Sequence, residues 1–264
     1  MINKPMIGVA AAVIVVAGGT WYYLQSRQAA APSPPAVQPL SAAPPEEPAT
    51  QHPLPAGPGD SAAKVPLPAL ADSDAALRDA LGQVVDAAAV QDYLRPENIV
   101  RHLVVTVDNL PRQKVSVEKR PIKPAAGSFV ADGDELHATI DPQNFARYQP
   151  LVSALGKLDM HQLAAVYIKF YPLFQQAYQD LGYPTGYFND RLVQVIDVLL
   201  ATPQPAAPIA LVRPNVMYTY ADPALEKLGA GQKLLIRMGP DNAAVVKAKL
   251  MELRAAVTAA PPKR

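Results

Sequence analysis

Prolines are distributed unevenly along this 264-residue chain, and their clustering sets the first limit on its fold. About a dozen of the 29 prolines fall between residues 29 and 68, where large apolar side chains are nearly absent. Such a segment cannot bury enough apolar surface to offset the entropy that ordering would cost. We therefore predict a disordered Pro/Ala-rich linker over residues 25–68. We find no repeated spacing in it that indicates a dedicated partner motif, so its predicted role is that of a spacer.

An uncharged apolar run precedes the linker. Residues 7–24 would form a helix of roughly 27 Å at ~1.5 Å per residue, which matches the hydrocarbon core of a bilayer. Aromatic residues close this run at positions 21–23, and Lys4 precedes it. The pattern predicts a single-pass transmembrane helix with residues 1–6 in the cytoplasm. A cleaved signal peptide ending near residues 29–31 is the alternative.

Composition excludes several classes of partner and site. The formal net charge is +1, whereas binding to nucleic-acid phosphates requires a concentrated basic face, so no nucleic-acid partner is predicted. The chain has no cysteine, which excludes a disulfide, a thiolate metal site and a cysteine nucleophile.

The remainder of the chain has the apolar periodicity of a helical domain, predicted over residues 69–258 and followed by a tail at 259–264. Apolar residues recur at spacings of three and four in several segments. Capping residues or prolines predict where these helices begin: Asp72 or Ser73, Pro96, Asp141, Asp159, Asn189 and Pro240. The Asp159 helix is expected to kink or restart near Pro172.

One segment of the domain predicts β-structure. Residues 128–140 alternate apolar and polar side chains around an Asp132-Gly133 turn, as a β-hairpin does. The β-branched residues at 104–107 leave a strand as a minority alternative to a helix there. The predicted fold is mainly α: an irregular helical bundle with one small β-hairpin.

A search for catalytic and metal-binding motifs finds none with its full context. Ser116–Lys119 matches SxxK but lacks the partner motifs of acylating enzymes. The acidic residues at 132–135 lack the twelve-residue ladder of a calcium loop. The histidines show no ligand-like spacing: His52, His102, His137 and His161. We therefore predict no catalytic residue, no cofactor and no metal site.

The segment YQDLGYPTGYFNDRLV is the densest in polar and aromatic side chains. Its rings offer stacking faces, and its amide, carboxylate and guanidinium groups offer directed hydrogen bonds, which together suit a groove for a peptide or a sugar chain. The candidate groove residues are Tyr183, Tyr187, Asn189, Asp190 and Arg191. A structural interpretation stays open, in which Asn189 caps a helix and Arg191 pairs with a nearby carboxylate.

Three segments carry a resemblance to a known family: Thr106–Arg112, Tyr171–Pro203 and Ala210–Leu250. They resemble a proteobacterial family catalogued as domain-of-unknown-function family 3014. The resemblance implies an N-terminal membrane segment and a proline-rich linker, and it implies no activity, cofactor or catalytic residue.

These observations favour a protein that is not an enzyme. They predict a single-pass cell-envelope protein of the bacterial inner membrane, with its domain in the periplasm, that acts as a non-catalytic binding or scaffolding module. Its partner would be an envelope protein or a cell-wall component. The alternative is an enzyme that acts on an envelope polymer through carboxylates such as Asp108 and Asp190, one of which burial would have to perturb.

Overall fold

Helices dominate the part of the chain that the structure describes. The computed structural model describes residues 49–55, 66–134 and 137–258. Within them, ten α-helices form: α1 (Ser73–Gly82), α2 (Ala87–Tyr93), α3 (Ile99–Asn109), α4 (Gln143–Ala146), α5 (Gln149–Gly156), α6 (Met160–Asp180), α7 (Phe188–Leu200), α8 (Pro223–Glu226), α9 (Ala230–Arg237) and α10 (Pro240–Thr258). The strands are β1 (Ala131–Asp132), β2 (Thr139–Ile140), β3 (Leu211–Val212) and β4 (Thr219–Tyr220). The prediction of a mainly α domain is confirmed.

Helix α6 organises the bundle, because it packs against both α3 and α10. Helix α7 contacts the same two helices, and α1 packs on α3 and α6. The apolar residues of α6 recur at spacings of three and four, so they share a buried face that includes Val166, Phe170, Phe174 and Ala177.

Four predicted helix starts are confirmed, including those at Ser73 and Asp141. The Asp159 carboxylate accepts the backbone N–H groups of His161 and Gln162, which caps α6, and α10 begins at Pro240. Helix α6 continues through Pro172 without restarting. Pro172 is exposed, so its ring points away from the core.

Helix α3 begins later than predicted, at Ile99 rather than at Pro96. The Asp74 carboxylate of α1 accepts the N–H groups of Asn98 and Ile99, and Asn98 has a left-handed φ of 51°. A capping group from another helix leaves no local signal in the sequence. Residues 104–107 lie inside α3, so the strand alternative was wrong.

The structure contains two antiparallel hairpins, and the prediction of a single one was wrong. The predicted hairpin forms as β1 and β2, with Ala131 opposite Ile140, and Gly133 after β1 has a φ of 91°. The unpredicted hairpin pairs β3 with β4. All four strands are two residues long; the Asp132-Gly133 turn marks the first hairpin in the sequence, whereas residues 213–218, which join β3 to β4, contain no glycine. Core side chains support the strands, including Ala138, Ile140, Leu211 and Tyr220.

The predicted anchor at residues 7–24 and most of the predicted linker lie outside the described residues. Across residues 49–55, 66–134 and 137–258, no helix combines the length and the apolar character needed to cross a membrane.

Candidate functional site

The candidate site lies where α6, the loop of residues 181–187 and the start of α7 meet. Four aromatic rings of α6, spaced by four, three and four residues, line one side of the helix: Tyr167, Tyr171, Phe174 and Tyr178. The loop and α7 add their own rings to this cluster. Tyr183 stacks on Tyr178 with ring centroids 4.5 Å apart, and Tyr187 lies 5.4 Å from Tyr171. These contacts fix the loop against α6.

Gln175 of α6 fixes the entry into α7. Its Nε2 donates to the carbonyl of Gly186 at 2.7 Å, and its Oε1 accepts the N–H of Phe188 at 2.9 Å. The Tyr171 hydroxyl donates to the same Oε1 and accepts the N–H of Asn189 at 3.3 Å. Burial raises the pKa of Tyr171 above its ordinary value, so its phenol stays protonated and keeps both bonds.

Residues 51–54, called the docked segment below, lie on the start of α7 although the sequence places them in the linker. The Asp190 carboxylate accepts the N–H of Gln51 at 3.0 Å and the N–H of His52 at 2.6 Å. Asn189 donates from Nδ2 to the His52 carbonyl at 2.9 Å. All three bonds reach main-chain atoms of the docked segment.

Leu54 completes the contact. Its N–H donates to the Tyr187 hydroxyl at 3.3 Å, and its side chain packs against the core cluster formed by α1, α3 and α6. Leu67 packs against the same cluster. Both leucines are the centre of a Pro-Leu-Pro tripeptide, at 53–55 and 66–68, a repeat that the sequence analysis overlooked.

Asp108 of α3 accepts hydrogen bonds from the other two candidate residues, Tyr183 and Arg191. It is 3% exposed and accepts from Arg191 Nε at 3.0 Å, from an Arg112 nitrogen at 2.7 Å and from the Tyr183 hydroxyl at 3.3 Å. A second Arg191 nitrogen donates to the Asp108 carbonyl at 2.7 Å. The structural interpretation of Arg191, as the partner of a nearby carboxylate, is confirmed.

The predicted capping role of Asn189 was wrong. Tyr187 is the N-cap of α7, and Asn189 lies inside the helix, fully buried. Besides its bond to His52, its amide donates to the Val257 carbonyl at 3.1 Å and accepts from the Tyr167 hydroxyl at 3.2 Å. Local sequence favoured a cap, but acceptors from α10 and the docked segment take the side chain instead.

The five candidate residues therefore form two sets. Tyr183 and Arg191 hold Asp108, whereas Tyr187, Asn189 and Asp190 hold the docked segment. Each carboxylate of the enzyme hypothesis is already occupied by donors of the protein. Among the described residues, no group of three or more His, Asp or Glu side chains is placed to hold a metal ion.

Comparison with known proteins gives one match. A family model described as "Protein of unknown function (DUF3014)" matches residues 99–254, which is more than half of the chain. No curated protein and no solved structure matches the chain significantly.

Proposed function

The chain belongs to this family of proteins of unknown function, and we propose that its domain is a non-catalytic module that binds a short peptide at the start of α7. One observation carries the proposal. The site already holds a peptide, the docked segment, through hydrogen bonds to four of its main-chain groups. A site that recognises main-chain atoms can accept peptides that differ in their side chains.

The charge at the site suits this role. The Asp190 carboxylate lies in the first turn of α7, where the helix dipole favours a negative charge. A carboxylate held there is a strong acceptor for two consecutive backbone N–H groups. A protein partner therefore fits the site better than a cell-wall glycan, whose amide N–H groups come at most one per sugar and not on consecutive backbone positions.

The remaining parts of the proposal concern location. We propose that residues 7–24 anchor the chain in a bacterial inner membrane and that the linker carries the domain into the periplasm. The uncharged apolar run and the cluster of prolines support this arrangement. The partner would then be an envelope protein within reach of the linker. The enzyme alternative gains no support, because Asp108 is enclosed by two arginines and Asp190 by backbone donors.

Affinity capture of the full chain from the membranes of cells that express it tests the proposal. Asp190→Asn removes the charge that accepts two N–H groups, so at least a fivefold loss of the captured partner is expected. Asp241→Asn is the matched control, because Asp241 is an exposed carboxylate in the first turn of α10, and it should capture as much partner as the unmodified chain. Equal capture by all three chains would contradict binding at the start of α7.

A further inference from the structure

The docked segment shows which peptides suit the site. We propose that residues 51–54 are an internal competitor, and that the ligand is a partner peptide with the same pattern: two residues with free N–H groups, then proline, then an apolar residue. This inference rests on the proposed function and names its ligand class.

Each position of the pattern follows from a contact. The first two residues must donate N–H groups to Asp190, as Gln51 and His52 do, which excludes proline from both. Pro53 is exposed and has no N–H to satisfy, so a proline is accepted at the third position. Leu54 supplies an N–H for Tyr187 and an apolar side chain for the core cluster.

The docked segment can leave without opening the core. Gln51 and Pro53 are exposed, and His52 and Leu54 are only half-buried. Leu54 lies at the margin of the cluster, whose buried members belong to other elements, such as Leu77, Val104 and Phe170. The segment is therefore held like a ligand, by a few contacts at one edge.

The linker repeats the pattern. The sequence reads Val-Gln-Pro-Leu at 37–40, Gln-His-Pro-Leu at 51–54 and Lys-Val-Pro-Leu at 64–67. Of the three, the segment at 51–54 is the one that the structure describes in full, and its N–H groups meet Asp190. A partner peptide that binds at the start of α7 would therefore carry this pattern.

A tethered competitor lowers the apparent affinity for a free peptide, because it is present at an effective concentration on the order of millimolar. Weakening the docked segment should therefore strengthen binding of a free peptide. A segment that the folded domain cannot release would not produce this gain, so the direction of the change shows whether the site is exchangeable.

The test uses the purified full chain in detergent micelles and a fluorescent peptide with the sequence of residues 48–56, followed by fluorescence anisotropy. Leu54→Ala in the chain should raise its affinity for the peptide by about tenfold over the unmodified chain. His52→Pro in the chain, which removes the 2.6 Å bond without touching the core cluster, should give a similar gain. Adding Asp190→Asn to either variant should abolish the gain, and a peptide carrying His52→Pro should bind none of the chains tightly.

The two proposals fail in different ways. If both chains with a weakened docked segment, Leu54→Ala and His52→Pro, melt like the unmodified chain but do not bind the peptide, the docked segment is structural and the inference is overturned. If Leu54→Ala unfolds the domain, the His52→Pro chain alone decides whether the inference holds. Partner capture that still depends on Asp190 would then leave the proposed function standing. Peptide binding without any captured partner would support the ligand pattern and contradict the proposed envelope-protein partner.

Discussion

The two sides of the candidate site use similar residues for different purposes. On the Asp108 side, side chains bind side chains, and the carboxylate at the centre is 3% exposed. On the Asp190 side, side chains bind the main chain of a segment that is half-buried at most. A buried charge network is costly to break, because it leaves charges without partners. A shallow contact to main-chain atoms can be exchanged, so we assign structure to the first side and binding to the second.

The largest effect is expected from Asp108→Ala. It leaves Arg191, whose side chain is 19% exposed, without the carboxylate that its Nε meets. Breaking a buried pair in this way costs about 3 kcal/mol of unfolding free energy. Chemical denaturation of the full chain measures the loss, with Asp241→Asn as an exposed control. A loss under about 1 kcal/mol would show that the Asp108 side is not a structural network.

Asn189→Ala should have the next largest effect, because Asn189 bonds to the core of the domain as well as to the docked segment. Its fully buried amide holds the Val257 carbonyl as well as the docked segment. Leaving such an acceptor unsatisfied costs about 2 kcal/mol. Denaturation should show this loss, and peptide binding should weaken in the remaining folded protein. A variant as stable as the unmodified chain would mean that the contact with α10 contributes nothing to the unfolding free energy.

Arg191→Lys should cost about 1 kcal/mol of unfolding free energy. A lysine amine cannot replace both the Nε bond to the Asp108 carboxylate and the second bond to the Asp108 carbonyl. The affinity for the peptide should not change, since Arg191 has no contact with the docked segment among the described hydrogen bonds. Unchanged stability with weakened peptide binding would place Arg191 on the binding side instead.

The smallest effects come from a matched pair of hydroxyl deletions, one on each side. Tyr183→Phe removes a donor to Asp108, and Tyr187→Phe removes the acceptor of the Leu54 N–H. We expect Tyr183→Phe to cost about 0.5–1 kcal/mol of unfolding free energy and Tyr187→Phe less than about 0.5 kcal/mol. Only Tyr187→Phe should change peptide affinity. If Tyr183→Phe changed the peptide affinity and Tyr187→Phe did not, the division of the site into two sides would be contradicted.

Local signals made part of this architecture predictable. Asp159 and Pro240 mark their helix starts because the capping group or ring acts on its own helix. The start of α3 was missed because Asp74 reaches it from α1. The β3–β4 hairpin was missed because residues 213–218, between its strands, contain no Asp-Gly or Asn-Gly turn.

The same limit applies to the site. The five candidate residues named from the sequence do lie together around the start of α7, and their role in a ligand groove stays a prediction. The sequence did not reveal that Asp108 belongs with Arg191, 83 positions away, or that Asp190 meets Gln51 across 139 positions. Such pairings depend on how the chain folds back on itself, which no local pattern records.

Amide hydrogen exchange, followed by nuclear magnetic resonance, tests the account most directly. The full chain is isotopically labelled, and an unlabelled peptide of residues 48–56 is added at several millimolar, above the effective concentration of the tethered segment. We predict faster exchange at the N–H groups of Gln51, His52 and Leu54, because the peptide displaces the docked segment. Exchange within α3 and α6 should not change. Unaltered exchange of these three N–H groups at saturating peptide would contradict the claim that the start of α7 is an exchangeable peptide site.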